Sequence, residues 1–406
     1  MTSQTVAKRA VPSLFILVLM ISVGPFGDTL YTPSLPDIAK SLDAYYNSVQ
    51  LTITSYLAGY AVSQLGYGPV SDRFGRKPVM IFGAIIFVAG SLVCTLSFDI
   101  TSLICGRFFQ GLGASCGAVI SSAAVRDAFS QEEQGKMFAK MNLAFAIAPG
   151  LGPIVGSFVA DHFSWHINFV ILLALSLLLL ILVIIMFPET LMQKNHHALH
   201  PKKIILNYMG LFRASGYLVY VTILGISLGM VYSCLIEAPA LVIDIMHLGP
   251  NWFLVIAFGI VVAFMIGSAL CNFLVGRIAD NWILFWGMLI MVLGSAAFVT
   301  LVSVFEINIW ILLCPVIFVF IGIAFIIPIA TMRALSPFEK IIGTASAMVG
   351  FYQMIMASLI TGLVTFVDVF LGKIFTMPCS FLMLSLIGLI IISSYIIYRK
   401  IRYRMR

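Results

Sequence analysis

A chain of 406 residues that is 61% hydrophobic and only 10% charged cannot cover a water-soluble surface, because soluble domains carry about 25% charged residues. Composition therefore excludes a soluble fold. At roughly 20 apolar residues per crossing of about 30 Å of hydrocarbon, the length suffices for twelve spans and short loops. The net charge of +7 is read as membrane topology and contact with anionic lipid, not as nucleic-acid binding.

Lys8 and Arg9 precede the first apolar run, as in a signal peptide. No small-residue cleavage site follows, and the run continues into Pro25, Gly27 and Asp28, so it is expected to be the first retained span. Apolar runs then fall at 12–34, 47–67, 78–97, 101–124, 137–159 and 166–187, and again at 214–238, 251–275, 283–304, 308–332, 341–366 and 377–398. Unbroken hydrophobicity of this kind marks helices exposed to lipid. The longest connection is polar and contains Lys194, Lys202 and Lys203. The expected fold is an all-α polytopic membrane protein, twelve transmembrane helices in two six-helix bundles (1–187 and 213–406) joined by a cytoplasmic linker (188–212).

Orientation follows from basic residues. With the N-terminus inside, 20 of the 23 Lys and Arg lie in cytoplasmic segments, including Arg73, Arg76, Lys77, Arg126, Arg277, Arg333 and the group from Arg399 to Arg406. Only Lys40 and Lys373 fall outside, and Arg107 lies within a span. The reverse orientation violates the positive-inside rule, so both termini are expected in the cytoplasm. The two halves also echo each other: Gly68-Pro-Val-Ser-Asp72 follows the second run, and Gly276-Arg-Ile-Ala-Asp280 follows the eighth, 208 residues later. Parallel halves with a site at their interface are a recurrent transporter plan.

The seven cysteines, Cys94, Cys105, Cys116, Cys234, Cys271, Cys314 and Cys379, are scattered through apolar runs and read as packing residues. His196, His197 and His200 read as a solvated loop rather than a metal site. No phosphate-cradling loop or nucleophile–base arrangement is present in the sequence, so neither direct ATP drive nor an enzyme is expected. No cofactor is expected.

Gly68-Pro-Val-Ser-Asp72-Arg73-Phe-Gly75-Arg76-Lys77 matches the pattern G-x-x-x-D-R-x-G-R-K and resembles the loop between the second and third spans of the major facilitator superfamily. Its glycines permit a tight turn and close helix approach, and its charges can tie helix ends together. Arg107-Phe-Phe-Gln110-Gly111-Leu-Gly113-Ala114 is similar to that family's span-four motif. Ala148-Pro149-Gly150-Leu-Gly152-Pro153-Ile-Val-Gly156 is similar to its span-five antiporter motif. Tyr31-Thr-Pro33-Ser-Leu-Pro36 and Gly343-Thr344-Ala345-Ser346-Ala347 resemble the Bcr/CflA drug-resistance subfamily.

The resemblance implies the major facilitator fold and proton-coupled export of small organic or amphipathic compounds, such as drugs, across a bacterial inner membrane by alternating access. Its implied partners are substrate, protons and lipid, with the protein a monomer. A dedicated exporter of an endogenous metabolite or siderophore is the alternative. A non-transporting sensor fits less well. Three departures stand out. The subfamily's membrane acid usually lies four residues before the proline matched by Pro33, where this chain has Thr29, with Asp28 one earlier. The Gly276 loop lacks the D-R-x-G-R tail, and His166 replaces the usual arginine in Trp165-His166-Ile-Asn-Phe169.

Ionisable residues inside spans are costly and usually functional, which singles out Asp28, Arg107 and Glu237 for proton coupling. Asp28 and Arg107 are expected at a similar level, with burial favouring a neutral carboxyl and a guanidinium favouring a charged one. The alternative is a fixed Asp28–Arg107 ion pair. Glu237 lies 209 residues after Asp28, near the end of the pseudo-symmetric span. It is expected either to face the pocket and contact substrate or to be exposed at the helix end. Polar and aromatic candidates for a substrate cavity are Tyr31, Tyr56, Tyr60, Gln64, Asn142, Tyr352 and Gln353, and interfacial anchoring is the alternative for the tyrosines.

Overall fold

The computed structural model describes residues 11–195, 210 and 216–404, with the backbone alone at residues 131, 139, 142, 146, 339–344 and 402–404. The three linker histidines lie outside the described residues. Within them the chain is helical apart from short connections and one isolated bridge between Val275 and Ile278.

The first half contains α1 (Leu14–Thr29), α2 (Leu35–Ser41), α3 (Tyr46–Phe74), α4 (Arg76–Thr95), α5 (Ile100–Ala128), α6 (Gln131–His162) and α7 (His166–Met186). A 3-10 turn at Thr32–Ser34 joins α1 and α2 into one span. The second half contains α8 (Tyr217–Pro239), α9 (Trp252–Leu274), α10 (Asp280–Val304), α11 (Ile309–Leu335), α12 (Ile342–Leu371) and α13 (Lys373–Arg404).

Caps set several helix starts. Ser13 accepts from the Ile16 N–H, Asp99 from that of Ser102, and Asn308 from those of Trp310 and Ile311. Ser130 and Glu133 form a reciprocal capping box on α6. Each satisfies backbone donors that a helix start leaves open.

Eleven helices among the described residues are long and apolar enough to cross a membrane. The expected second span differs. Its helix α3 has 29 residues, but Asn47, Gln50, Thr52, Thr54, Ser63 and Gln64 make it too polar for that standard. The reason is its place: α3 packs on α5 in its own half and on α12 in the other. Its polar side chains meet protein rather than lipid.

Two buried apolar clusters form the core. One draws its buried members from the second half alone. The other belongs to the first half but also takes in Tyr232, Ile236, Ala240, Met354 and Ala357. Small residues bring helices together, as membrane packing demands. A Cβ at Gly111 of α5 would strike the Tyr56 carbonyl of α3, and one at Gly156 of α6 would strike the Leu30 carbonyl after α1.

Candidate functional site

Helix rotation explains the displaced acid. Thr29, at the position where the resemblance expects a carboxylate, is buried and bonds the Pro25 carbonyl at 3.2 Å. It lies against Gly152 of α6, within its own half. One residue earlier, and about 100° around the helix, Asp28 faces the other half. The Tyr232 hydroxyl of α8 donates to Asp28 Oδ2 at 2.5 Å. Asp28 is 4% exposed, and its Oδ1 has no hydrogen-bond partner among the described residues.

Arg107 is wholly buried and, among the described residues, forms no ion pair. Its Nη1 donates to the Gly27 carbonyl at 3.2 Å and to Gln110 Oε1 at 2.5 Å. Gln110 in turn donates to Ser91. The guanidinium carbon sits 4.5 Å from the Tyr31 ring centre and 4.2 Å from that of Tyr56, a desolvated cation–π sandwich. Arg107 thus lies at the level of Asp28, through the neighbouring Gly27 carbonyl, without the fixed ion pair that was one expectation. Its Nε and Nη2 have no hydrogen-bond acceptor among the described residues.

Glu237 is fully buried, which rules out the exposed helix-end position. Gln50 Nε2 of α3 donates to its Oε1 at 2.8 Å, and its Oε2 is unpartnered among the described residues. The relation is reciprocal: each half's acid is held by a side chain of the other half. Around Glu237 lies a wider seam. Tyr46 donates to the Ile236 carbonyl at 2.7 Å, Asn47 to that of Thr365 at 3.2 Å, and Thr54 pairs with Thr361 at 3.0 Å. Asn251 donates to Asp161 at 2.9 Å. Lys40 and Lys373, the two basic residues assigned outside, both approach Asp244, at 3.8 and 3.2 Å. All these contacts lie toward one end of the bundle, away from Arg73, Arg76, Arg277 and Arg333, which mark the basic end.

The cavity candidates separate. Tyr31 and Tyr56 are buried and engaged, Tyr31 with Thr52 at 2.6 Å and Tyr56 with the Gly24 carbonyl at 2.9 Å. In the state described they form the wall around Arg107. Tyr60 is buried beside Tyr56. Gln64, Tyr352 and Gln353 are partly exposed. Gln64 faces Gly350 of α12 across the seam, and Tyr352 pairs with Thr222. The side chain of Asn142, on α6, lies outside the described residues.

At the basic end, the stretch from Gly68 to Lys77 is almost wholly helical rather than a loop. Helix α3 continues through Gly68 and Pro69 to Phe74, and the turn is confined to Gly75, at φ +112°. That backbone favours glycine, and a Cβ there would also meet Glu189. Gly68 has no neighbour that a Cβ would meet, so it supports no close helix approach. Arg76 pairs with Asp72 at 2.6 Å and Asp127 at 2.8 Å, while Arg73 lies over Phe74. Glu189 accepts from the Arg76 and Lys77 N–H groups. In the second half Asp280 pairs with Arg333 at 2.5 Å. On α6, Pro149, Gly150, Gly152, Pro153 and Gly156 all lie within one continuous helix.

Sequence reasoning missed Tyr232 and Gln50. Neither belongs to a motif, and the only available signal was polarity inside a span, which many membrane tyrosines and amides share.

A family model described as "Major Facilitator Superfamily" matches residues 17–361. "Multidrug resistance protein D" of Escherichia coli (strain K12) is 28% identical over 374 residues, covering 88% of this chain and 89% of that protein. The "Bicyclomycin resistance protein homolog" of Haemophilus influenzae (strain ATCC 51907 / DSM 11121 / KW20 / Rd) is 28% identical over 357 residues, with 87% and 89% covered. Among solved structures, a "D-xylose-proton symporter" superposes with a TM-score of 0.75 at 16% identity over 92% of this chain and 96% of that one, a likeness of fold alone.

Proposed function

The chain belongs to the Major Facilitator Superfamily, and from that premise we propose that it exports small organic or amphipathic compounds, drugs among them, in exchange for protons. The carrying observation is Asp28: a buried carboxyl with one oxygen free among the described residues and the other held across the two halves. A proton can occupy such a group in one state and leave it in the other. The names of the relatives, a multidrug resistance protein and a bicyclomycin resistance homolog, support drugs as cargo.

In this reading 1–187 and 213–406 are the two bundles that rock about the seam, with 188–212 as linker. The basic end is cytoplasmic, as are both termini, and the membrane is a bacterial inner membrane. The contacts from Lys40–Asp244 to Tyr232–Asp28 then seal the outer side, so the state described is closed outward. Arg107 tunes the proton site, Glu237 is a second acid at the seam, and Gln64, Tyr352 and Gln353 face substrate. The protein works as a monomer.

Reconstitution into proteoliposomes under an imposed pH gradient, with a panel of fluorescent lipophilic cations and neutral amphiphiles, tests the proposal. Gradient-driven movement is expected for the parent and lost in Asp28→Asn with folding intact. Unaltered coupling in Asp28→Asn removes Asp28 as proton carrier. Movement confined to one chemical class points instead to a dedicated exporter.

A further inference from the structure

Resting on the antiport reading, we infer that Tyr232 is a positioning residue that makes proton passage conditional on substrate. Tyr232 and Asp28 are 204 residues apart in sequence and belong to opposite halves, yet the hydroxyl and carboxylate meet at 2.5 Å. Both are buried, at 7% and 4% exposure, so water does not compete for the bond.

Other groups near Asp28 are occupied or silent. Arg107 of α5 bonds the Gly27 carbonyl and Gln110 between two rings. The Tyr56 hydroxyl of α3 is directed to the Gly24 carbonyl, and that of Tyr31 meets Thr52. Tyr60 of α3 lies near and, among the described residues, does not bond the carboxylate. Among the described residues Tyr232 is the one donor to Asp28.

Hydrogen bonds to an ionised acceptor are roughly twice as strong as neutral ones. The latch is therefore tightest when Asp28 is charged and no substrate is present. In that state the outer seam stays shut, and the empty carrier does not turn outward. A substrate bearing a cationic or hydrogen-bond-donating group takes the carboxylate from Tyr232 and unlatches the seam, and so does a proton. Without the hydroxyl, the empty charged carrier turns outward, gains a proton on Asp28, turns back and releases it to the cytoplasm. Protons then cross with nothing exported.

The test needs no exported compound. The full chain is reconstituted in vesicles containing pyranine, with an inward proton gradient and the potential clamped by potassium and valinomycin. The parent is expected to leak no faster than protein-free vesicles. Tyr232→Phe is expected to leak about tenfold faster, as loss of a charge-assisted bond implies, and Tyr232→Phe/Asp28→Asn to return to the parent rate. A Tyr232→Phe protein as tight as the parent, or a leak that persists in the double variant, overturns the assignment.

A general packing defect would reduce export without opening a proton path through Asp28. Should Tyr232→Phe fail to fold, Asp28→Asn removes the charged acceptor while keeping Tyr232. It is expected to speed maleimide labelling of Asn47→Cys from the outer side, and unchanged labelling overturns the latch. A parent that moves none of the panel, paired with an Asp28-dependent leak in Tyr232→Phe, removes the panel compounds as cargo and keeps the latch.

Discussion

Arg107 has its charge met by rings, a backbone carbonyl and an amide rather than by a carboxylate. A planar guanidinium stacks between two rings while its edge donates, which an ammonium cannot reproduce. Arg107→Lys is therefore expected to abolish gradient-driven export and lower the thermal midpoint in detergent. Retention of both would show that charge alone suffices. At Glu237, Gln50→Leu removes the hydrogen bond that the carboxyl accepts among the described residues, a change worth about 1–3 kcal/mol. A lowered midpoint is expected in thermal unfolding, and an unchanged one would assign the bond no weight. Placement of Asp28 and Arg107 inside the spans was legible in the sequence from their position within apolar runs, whereas Glu237 could equally have been exposed at its helix end and only the folded chain shows it buried. The partners of all three were not legible, because contacts such as Gln50–Glu237 join residues 187 apart and leave no local pattern.

Among the helices, α6 separates glycines that matter for packing from those that do not. Gly156 abuts the Leu30 carbonyl, whereas Gly150 meets only Val261, at an ordinary 3.8 Å. Gly156→Ala should push α1 away and destabilise by about 1–3 kcal/mol. Gly150→Ala should be neutral or gain up to about 1 kcal/mol from helix propensity. Equal thermal midpoints for the two variants would show that α1 and α6 do not need this approach. Element positions were the most readable part of the sequence, since hydropathy alone locates every span, although α3 and α6 reach well past their apolar runs, to Phe74 and back to Gln131. The overrun of α3 to Phe74 was not readable, because Gly68 and Pro69 suggest a turn that the helix absorbs.

For the molecule as a whole, the seam joining the halves is not uniformly strong. Lys40 is 70% exposed at 3.8 Å from Asp244, and such a surface pair contributes about 0–1 kcal/mol. Buried bonds to a carboxylate contribute about 1.5–3 kcal/mol, so Tyr232–Asp28 and Gln50–Glu237 dominate the seal. Lys40→Ala is accordingly expected to leave export rates within about twofold of the parent, measured in the same vesicles at low and high salt. A large loss would move the decisive closure to Asp244. The paired glycine–aspartate stretches pointed to a duplication of the two halves. The reciprocal holding of each half's acid by the other required the folded seam.

The polarity of α3 also bears on how the chain is made. A segment carrying Asn47, Gln50, Thr52 and Gln64 partitions poorly into lipid by itself, so its stable insertion is expected to need companion helices. Helix α5, whose Gly111 receives the Tyr56 backbone, is the companion from the same half. Insertion of α3 together with α5, rather than singly, is therefore expected. Glycosylation mapping of nascent fragments should find α3 incompletely inserted in a chain ending at residue 74 and fully inserted in one ending at residue 128.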